Sequence, residues 1–365
     1  MENKKIRIGI THGDINGIGY EIILKTFTDP EMLELCTPIV YGSAKVATYH
    51  RKALNMSNIV FTSITEAKDA DDNKLNIVNC IDDEIKVELS KPTEEAGAAA
   101  FSALEKAVAD YKEGLIDAIV TAPINKHTIQ NPDFNFPGHT EYIEDRLGDG
   151  NESLMILMNE SIKVALVTGH IPVSAIPSQI TKERLERKIT IFNKSLKEDF
   201  GITKPRIAVF SLNPHASDNG LIGSEEQDTI IPAINELNDK GIYCFGPYPA
   251  DGFMGAGLYK TFDGIMAMYH DQGLIPFKTL AMNNGVNYTA GLPVIRTSPD
   301  HGTAYDIAGK GVASEESFRN AIYTAIDIYR YREQERTLHA NVLTKQYYEK
   351  RDDSDKLKLN LQDEE

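Results

Sequence analysis

Short apolar runs rich in β-branched residues recur along this chain, separated by longer stretches with the apolar spacing of amphipathic helices. IRIGIT, TPIVYG, LNIVNC, DAIVTAP, KVALVTGH, RIAVFSLNPH and GIMAMYH read as strands. TEEAGAAAFSALEKAVADYKEG, ITKERLERKITIFNKSLKEDFG and SEEQDTIIPAINELNDKG read as helices. The second opens on Thr181 and the third on Ser224 as caps, and Gly201 and Gly241 close them. Such alternation dictates an α/β fold, because a parallel crossover must lay its helix on the sheet. The expected architecture is a mostly parallel sheet with helices on both faces. The acidic segment 66–95 is expected to hold an edge hairpin or excursion, and SEESFRNAIYTAIDIYRYREQER (314–336) a closing helix. The charged residues at the C-terminus are expected to form a frayed tail.

Composition narrows the partners. With 365 residues, 41% of them hydrophobic, the chain can bury the cores of two domains. A net charge of −16 argues against nucleic acid and anionic membranes, which call for a basic surface. No stretch approaches the roughly 20 apolar residues that cross a bilayer. MENKKIRIGIT runs into a strand pattern without the apolar core of an export signal. Cys36, Cys80 and Cys244 are scattered thiols with no CxxC spacing, so a reducing compartment, the cytoplasm by default, is expected.

Three of the strand-like runs lead into a histidine: His170 in TGHIPVS, His215 in LNPHASDNG and His270 in YHDQG. In open α/β sheets ligands gather at the carboxyl ends of strands. Three imidazoles there could hold one divalent metal with positions left open for substrate, Zn²⁺ fitting best by ligand type and Co²⁺ also suited. His12 also follows a strand, so position alone is a weak signal. Pro172, the Asn-Pro turn before His215, and Gly273 give each of the three a specialised loop.

Other segments admit two readings. GDINGIGYE (13–21) lacks the GxGxxG spacing; Gly13, Gly17 and Gly19 either admit a phosphate to a helix N-terminus or make a tight turn. HGTAYDIAGKG (301–311) fails as a P-loop, but it is rich in backbone donors and offers His301, Thr303 and Asp306. FPGHTEY presents His139 and Thr140, with Glu141 placed to cap a helix, and GPYPADGF presents Asp251 on a rigid loop. Lys278, Asn287 and Arg296 follow in chain order.

TAPINK, PGHTE, TGHIP, LNPH, PYPAD, YHDQG and DHGTAYDIAGKG, in this order over about residues 5–335, together resemble the 4-hydroxythreonine-4-phosphate dehydrogenase family of pyridoxal phosphate biosynthesis. The last motif is also similar to the cofactor loop of isopropylmalate dehydrogenases. The resemblance implies a two-domain α/β/α fold like that of isocitrate and isopropylmalate dehydrogenases, with a cleft between discontinuous domains. The expected bounds are 1–140 with 290–340, then 141–289, then a tail over 341–365. It implies a homodimer whose metal site is completed across the interface. His170, His215 and His270 match its metal ligands; His139, Thr140, Lys278, Asn287 and Arg296 match its substrate contacts; Asp251 matches a carboxylate near both. Catalytic roles are expected of Asp251, Lys278 and His139. His301, Gly302, Thr303, Ala304 and Asp306 are expected at the NAD or NADP, and the metal is Zn, Co or Mg. The implied reaction is oxidation of a phosphorylated β-hydroxy acid followed by decarboxylation. Ile15, Asn16 and Tyr20 stand where the family has proline, alanine and proline, and Ser217-Asp218 where it commonly has Gly-Glu. Two alternatives stay open: a dehydrogenase of 4-phospho-threonate or 4-phospho-erythronate, and a non-catalytic or phosphotransacetylase-like α/β binding protein.

Overall fold

The computed structural model describes residues 5–340, so the charged tail expected beyond them lies outside the described residues. Among those, twelve strands form one sheet. In chain order they are β1 (Ile6–Thr11), β2 (Cys36–Gly42), β3 (Phe61–Ile64), β4 (Leu75–Asn79), β5 (Ala118–Thr121) and β6 (Leu154–Met158). There follow β7 (Lys163–Leu166), β8 (Ile207–Phe210), β9 (Cys244–Tyr248), β10 (Gly264–Ala267), β11 (Val286–Ala290) and β12 (Arg296–Pro299). Across the sheet they lie in the order β3–β4–β2–β1–β5–β12–β11–β6–β7–β10–β8–β9. The outer pairings are parallel, and antiparallel pairing is confined to the middle, at β12–β11, β11–β6 and β6–β7. The chain thus builds five strands at one end, six at the other, and returns through β12 to lie beside β5.

Helices cover the sheet as the alternation dictates. Thr93 caps the Glu94–Lys112 helix by accepting from Ala96 N, and Thr181 caps Lys182–Glu198 by accepting from Arg184 N. Gly201 and Gly241 take φ of 66° and 79°, the left-handed conformation that ends a helix at little cost to glycine. The closing helix is Glu316–His339. Ile8, Ile10, Phe192 and Phe318 are buried in one core cluster that spans both ends of the sheet. Among the described residues, no helix is long and apolar enough to cross a membrane.

Several local expectations are revised. Ser224 caps nothing with its side chain; the segment after it opens as a π-turn, Glu226–Ile230, for a reason that emerges below. The 66–95 segment holds no hairpin, because β4 pairs in parallel with both β2 and the edge strand β3. Residues 80–93 form the excursion, and Asn16 pins it: its Oδ1 accepts from Glu88 N at 2.7 Å and its Nδ2 donates to Lys91 O at 2.9 Å. Tyr20 is buried in a stack, with His12 at 5.2 Å on one face and His50 at 5.0 Å on the other. The unusual first loop is therefore packed against its own chain. A Cβ at Gly17 would meet Thr303 O at 2.7 Å, and one at Gly19 would meet His12 O at 2.1 Å, so these glycines permit close backbone approach, and the amides of Asn16, Gly17 and Ile18 donate to Asp14 and Thr303 of the same chain.

Candidate active-site cleft

β7, β10 and β8 are adjacent and parallel, and the chain beyond them carries His170, His270 and His215 respectively. None of the three is at a strand end; they follow the last strand residues Leu166, Ala267 and Phe210 by a few positions. His270 opens the His270–Leu280 helix, so YHDQG is a helix start where a loop was expected. Gly273 is there for packing, since a Cβ would come within 2.8 Å of Leu166 Cδ2 and 2.9 Å of Val164 Cγ1. The His170 and His270 rings lie 5.4 Å apart. His270 Nδ1 is 2.7 Å from Asp271 Oδ1, which favours the tautomer that leaves Nε2 as an electron-pair donor. Burial, and the nearby charges of Lys126 and His270, lower the pKa of His170 and favour its neutral, metal-binding form. His215 is exposed on its own loop. Among the described residues, no three His, Cys, Asp or Glu side chains of one chain are grouped to hold a metal. The donor chemistry of the pair fits a divalent cation, and the third imidazole does not join it within one chain.

Beside the pair opens a cleft of about 570 Å³, lined in part by His139, Thr140, Lys278, Asn287, Arg296 and His170. His301 and Gly302 line it too, whereas Asp251, His215 and His270 do not. Asp251 sits exposed in the first turn of a short helix, Ala250–Gly255, rather than on the expected loop. Thr303 O accepts from Ile18 N at 3.1 Å, which docks the 301–306 loop on the first βα turn. Tyr305 Oη donates to Asp14 Oδ2 at 2.6 Å and reinforces that docking.

The electrostatics of the cleft run against those of the chain. Arg296 is only 3% exposed, and its guanidinium donates to threonine hydroxyls alone: to Thr121 Oγ1 at 2.6 and 3.2 Å and to Thr289 Oγ1 at 3.3 Å. Among the described residues, no carboxylate forms an ion pair with it, and burial pulls its pKa down to about 10, so it remains charged at neutral pH. Burial and the charges of Arg296 and Lys126 push the pKa of His139 well below that of an ordinary histidine. Asn287 Oδ1 and His301 Nε2 are buried without a hydrogen-bond partner. Buried cations and orphaned polar atoms are costly unless a ligand satisfies them. The arrangement suits a small anionic, hydroxylated molecule.

Sequence reasoning gave no role to Lys126, Lys188 or Asp300, which also line the cleft. Lys126 lies inside TAPINK and carried its own signal; Lys188 comes from the middle of a helix whose charged pattern reads as a solvated face. Glu141 lines the cleft from the first turn of the His139–Leu147 helix, whose N-cap Gly138 has no side-chain bond.

Known proteins resemble this chain in sequence and fold. A 4-hydroxythreonine-4-phosphate dehydrogenase from Bacteroides thetaiotaomicron is 68% identical over 365 residues, the full length of both chains. A relative from Oceanobacillus iheyensis, named for D-threonate 4-phosphate dehydrogenation, is 40% identical and covers 89% of this chain and 98% of its own. The crystal structure of the Klebsiella pneumoniae 4-hydroxythreonine-4-phosphate dehydrogenase superposes with a TM-score of 0.78 at 35% identity, over 90% of this chain and 99% of that one. A terephthalate 1,2-cis-dihydrodiol dehydrogenase from Burkholderia xenovorans, at 24% identity and a TM-score of 0.59, shares the fold. The model of one family, described as pyridoxal phosphate biosynthetic protein PdxA, matches residues 34–325, and with a relative matched from end to end the chain belongs to the PdxA family.

Proposed function

We propose that this PdxA-family oxidoreductase uses NAD or NADP to oxidise 4-(phosphooxy)-L-threonine at C3. The β-keto acid formed then loses CO₂ to leave 3-amino-2-oxopropyl phosphate, in pyridoxine 5′-phosphate biosynthesis. One observation carries the reading: a buried Arg296 with no carboxylate in ion-pair contact among the described residues, only Glu141 acting on it at longer range, in a cleft that also gathers Lys126 and Lys278 in a chain of net charge −16. Positive charge concentrated against the overall balance marks the place of an anionic substrate.

In this reading Arg296 and Lys278 hold the phosphate and carboxylate, with Thr140 and His139 donating to the same anion. The bound anion offsets the charges of Arg296 and Lys126 and so raises the proton affinity of His139. Asn287 Oδ1 accepts from the substrate. Glu141, which lines the cleft without an ion-pair partner among the described residues, favours a substrate bearing an ammonium group. A divalent cation (zinc, cobalt or magnesium) held by His170, His270 and His215 would act as Lewis acid toward the C3 oxygen, and a nicotinamide along His301–Asp306 would accept the hydride.

The site is assembled from two chains. His170 and His270 of one subunit meet His215 of the other, and Asp251 enters with it as the carboxylate that takes the hydroxyl proton. Exposed apolar side chains follow each histidine loop: Val173 at 79%, Leu221 at 80% and Ile275 at 65% exposure. These give the face the character of a subunit contact. The two lobes are residues 1–140 with 290–340, and 141–289, and the protein works in the cytoplasm.

The relative named for D-threonate 4-phosphate keeps a second reading in view, since the corresponding hydroxy acid presents the same phosphate and carboxylate. Steady-state kinetics on the amino and hydroxy acids side by side, with each nicotinamide and added cation, test the proposal. Preference for the amino acid supports it; preference for the hydroxy acid moves the enzyme to sugar-acid catabolism, and no reduction of nicotinamide with either refutes it.

A further inference from the structure

The turn that carries His215 is strained. His215, Ala216, Ser217, Asp218 and Asn219 have φ of 53°, 51°, 63°, 46° and 58° in succession. Left-handed backbone costs non-glycine residues about 1–2 kcal/mol each, so five in a row need compensation from contacts around them. The contacts come from the helical segment after the turn. Glu226 is completely buried, and its Oε1 accepts from the backbone amides of Leu212 and Asn213, both at 2.8 Å. Its Oε2 accepts from Asn213 Nδ2 at 2.9 Å. Gln227 Oε1 accepts from Ser217 Oγ at 2.8 Å. Both residues lie in the π-turn Glu226–Ile230, whose widened register aims these side chains back at the loop.

The same hydrogen bonding continues across the neighbouring strands. Asn213 O accepts from Ser211 Oγ at 2.9 Å, and Ser211 O accepts from Gln272 Nε2 at 2.6 Å. Gln272 Oε1 accepts from Met268 N at 2.8 Å, and Met268 O accepts from Thr168 Oγ1 at 2.7 Å. Each step lies within a few residues of one of the three histidines, and the connection spans the ends of β8, β10 and β7.

We propose that Glu226 and Gln272 are positioning residues for the metal-binding histidines, fixing the strained His215 turn and its spacing from the His170–His270 pair through the relay Glu226–Asn213–Ser211–Gln272–Met268–Thr168. The proposal rests on the reading of those histidines as ligands. A buried carboxylate that accepts hydrogen bonds from backbone amides acts on geometry, and outer partners of this kind set metal affinity by about 10- to 100-fold.

The test uses metal-free full-length protein and Co²⁺ alone, with affinity read by calorimetry and ligand geometry by the visible absorption of the bound ion. Glu226→Leu and Gln272→Leu are expected to weaken Co²⁺ binding about 10- to 100-fold and to change its spectrum. Glu226→Gln, which keeps an acceptor for the two amides, should recover part of the affinity. Ser195→Ala removes a buried hydrogen bond far along the chain from the relay and should leave Co²⁺ affinity unchanged, separating positioning from general loss of stability. If Glu226→Leu does not fold, Gln227→Ala loosens the same turn and should weaken Co²⁺ binding in the same direction. Wild-type affinity and spectrum in the Glu226 and Gln272 variants, while His270→Ala loses Co²⁺, overturn the proposal alone. Unchanged Co²⁺ binding in His270→Ala overturns the ligand reading and the proposal with it.

Discussion

Replacing Arg296 with methionine should separate stability from binding. The guanidinium is 3% exposed and holds two threonine hydroxyls without a carboxylate in ion-pair range among the described residues. A buried charge with no contact partner costs about 3–5 kcal/mol, and the Glu141 carboxylate, acting on Arg296 at longer range, offsets part of that. Leaving the Thr121 and Thr289 hydroxyls without their donor costs about 1–3 kcal/mol. Arg296→Met, close to arginine in length and apolar, should therefore leave the ligand-free protein as stable as wild type or about 1–2 kcal/mol more so. Binding should move the other way. Losing charge-assisted bonds to a phosphate or carboxylate removes about 3 kcal/mol or more, a hundredfold in affinity. Calorimetric unfolding with and without 4-(phosphooxy)-L-threonine reads both effects. At a hundredfold excess over its dissociation constant the substrate should stabilise wild type by about 2.7 kcal/mol, and the variant hardly at all at that concentration. A variant that is several kcal/mol less stable without ligand, and equally stabilised by the substrate, would show Arg296 to be a structural residue.

Two further perturbations test the fold around the cleft. His12 and His50 are buried, and burial lowers each pKa from 6.5 to about 4. A depressed histidine contributes stability that is complete above its unfolded pKa and is lost as pH falls toward the folded one, so the window runs from 6.5 down to about 4. At about 1.4 kcal/mol per unit, each histidine should account for roughly 3 kcal/mol lost across that window; equal urea midpoints at about pH 7 and about pH 4.5 would contradict the assignment. Arg332 donates to Asp199 Oδ1 at 2.7 Å and to Tyr288 Oη at 2.9 Å, tying the closing helix to the central strand β11. Arg332→Leu leaves a buried carboxylate uncompensated and should cost about 3–5 kcal/mol in thermal unfolding, with Co²⁺ binding unaltered; an unchanged transition would show the clamp to be idle.

The sequence revealed the frame of this molecule better than its centre. The seven runs read as strands are strands, because parallel strands buried on both faces must be apolar and β-branched. Five others escaped that pattern for physical reasons. LMILM (β6) is apolar but has a single β-branched residue, Ile156, among leucine and methionine, and periodicity cannot tell such a run from a buried helix. CFGPY (β9) carries Gly and Pro and reads as a turn, which an edge strand tolerates. FTSI (β3), the opposite edge, is short and only partly buried. VNYTA and RTSP (β11 and β12) place Asn287, Arg296 and Ser298 inside the sheet because they face the cleft, while the Thr297 hydroxyl is satisfied by donating to Ala321 O in the closing helix. Polar residues that look like loop are therefore strand where a ligand is to be met. Of the candidate site, His139 and Thr140 were legible within PGHTE, whereas Asn287 and Arg296 lie outside every motif and were singled out only through the family resemblance; the convergence of all four depends on sheet order, which no local pattern encodes. The left-handed turn at His215 was illegible, because its cause, the buried Glu226, sits in a helix whose acids read as an ordinary first turn.

The claim on which the mechanism depends is that each reaction centre draws His170 and His270 from one chain and His215 from the other. Co-expressed His170→Ala and His215→Ala chains, each inactive alone, test it directly. The mixed dimer should regain one intact centre of its two and close to half the turnover of wild type, with Co²⁺ bound at that centre. Mixed dimers as inactive as either parent would contradict the shared site and return all three imidazoles to a single chain.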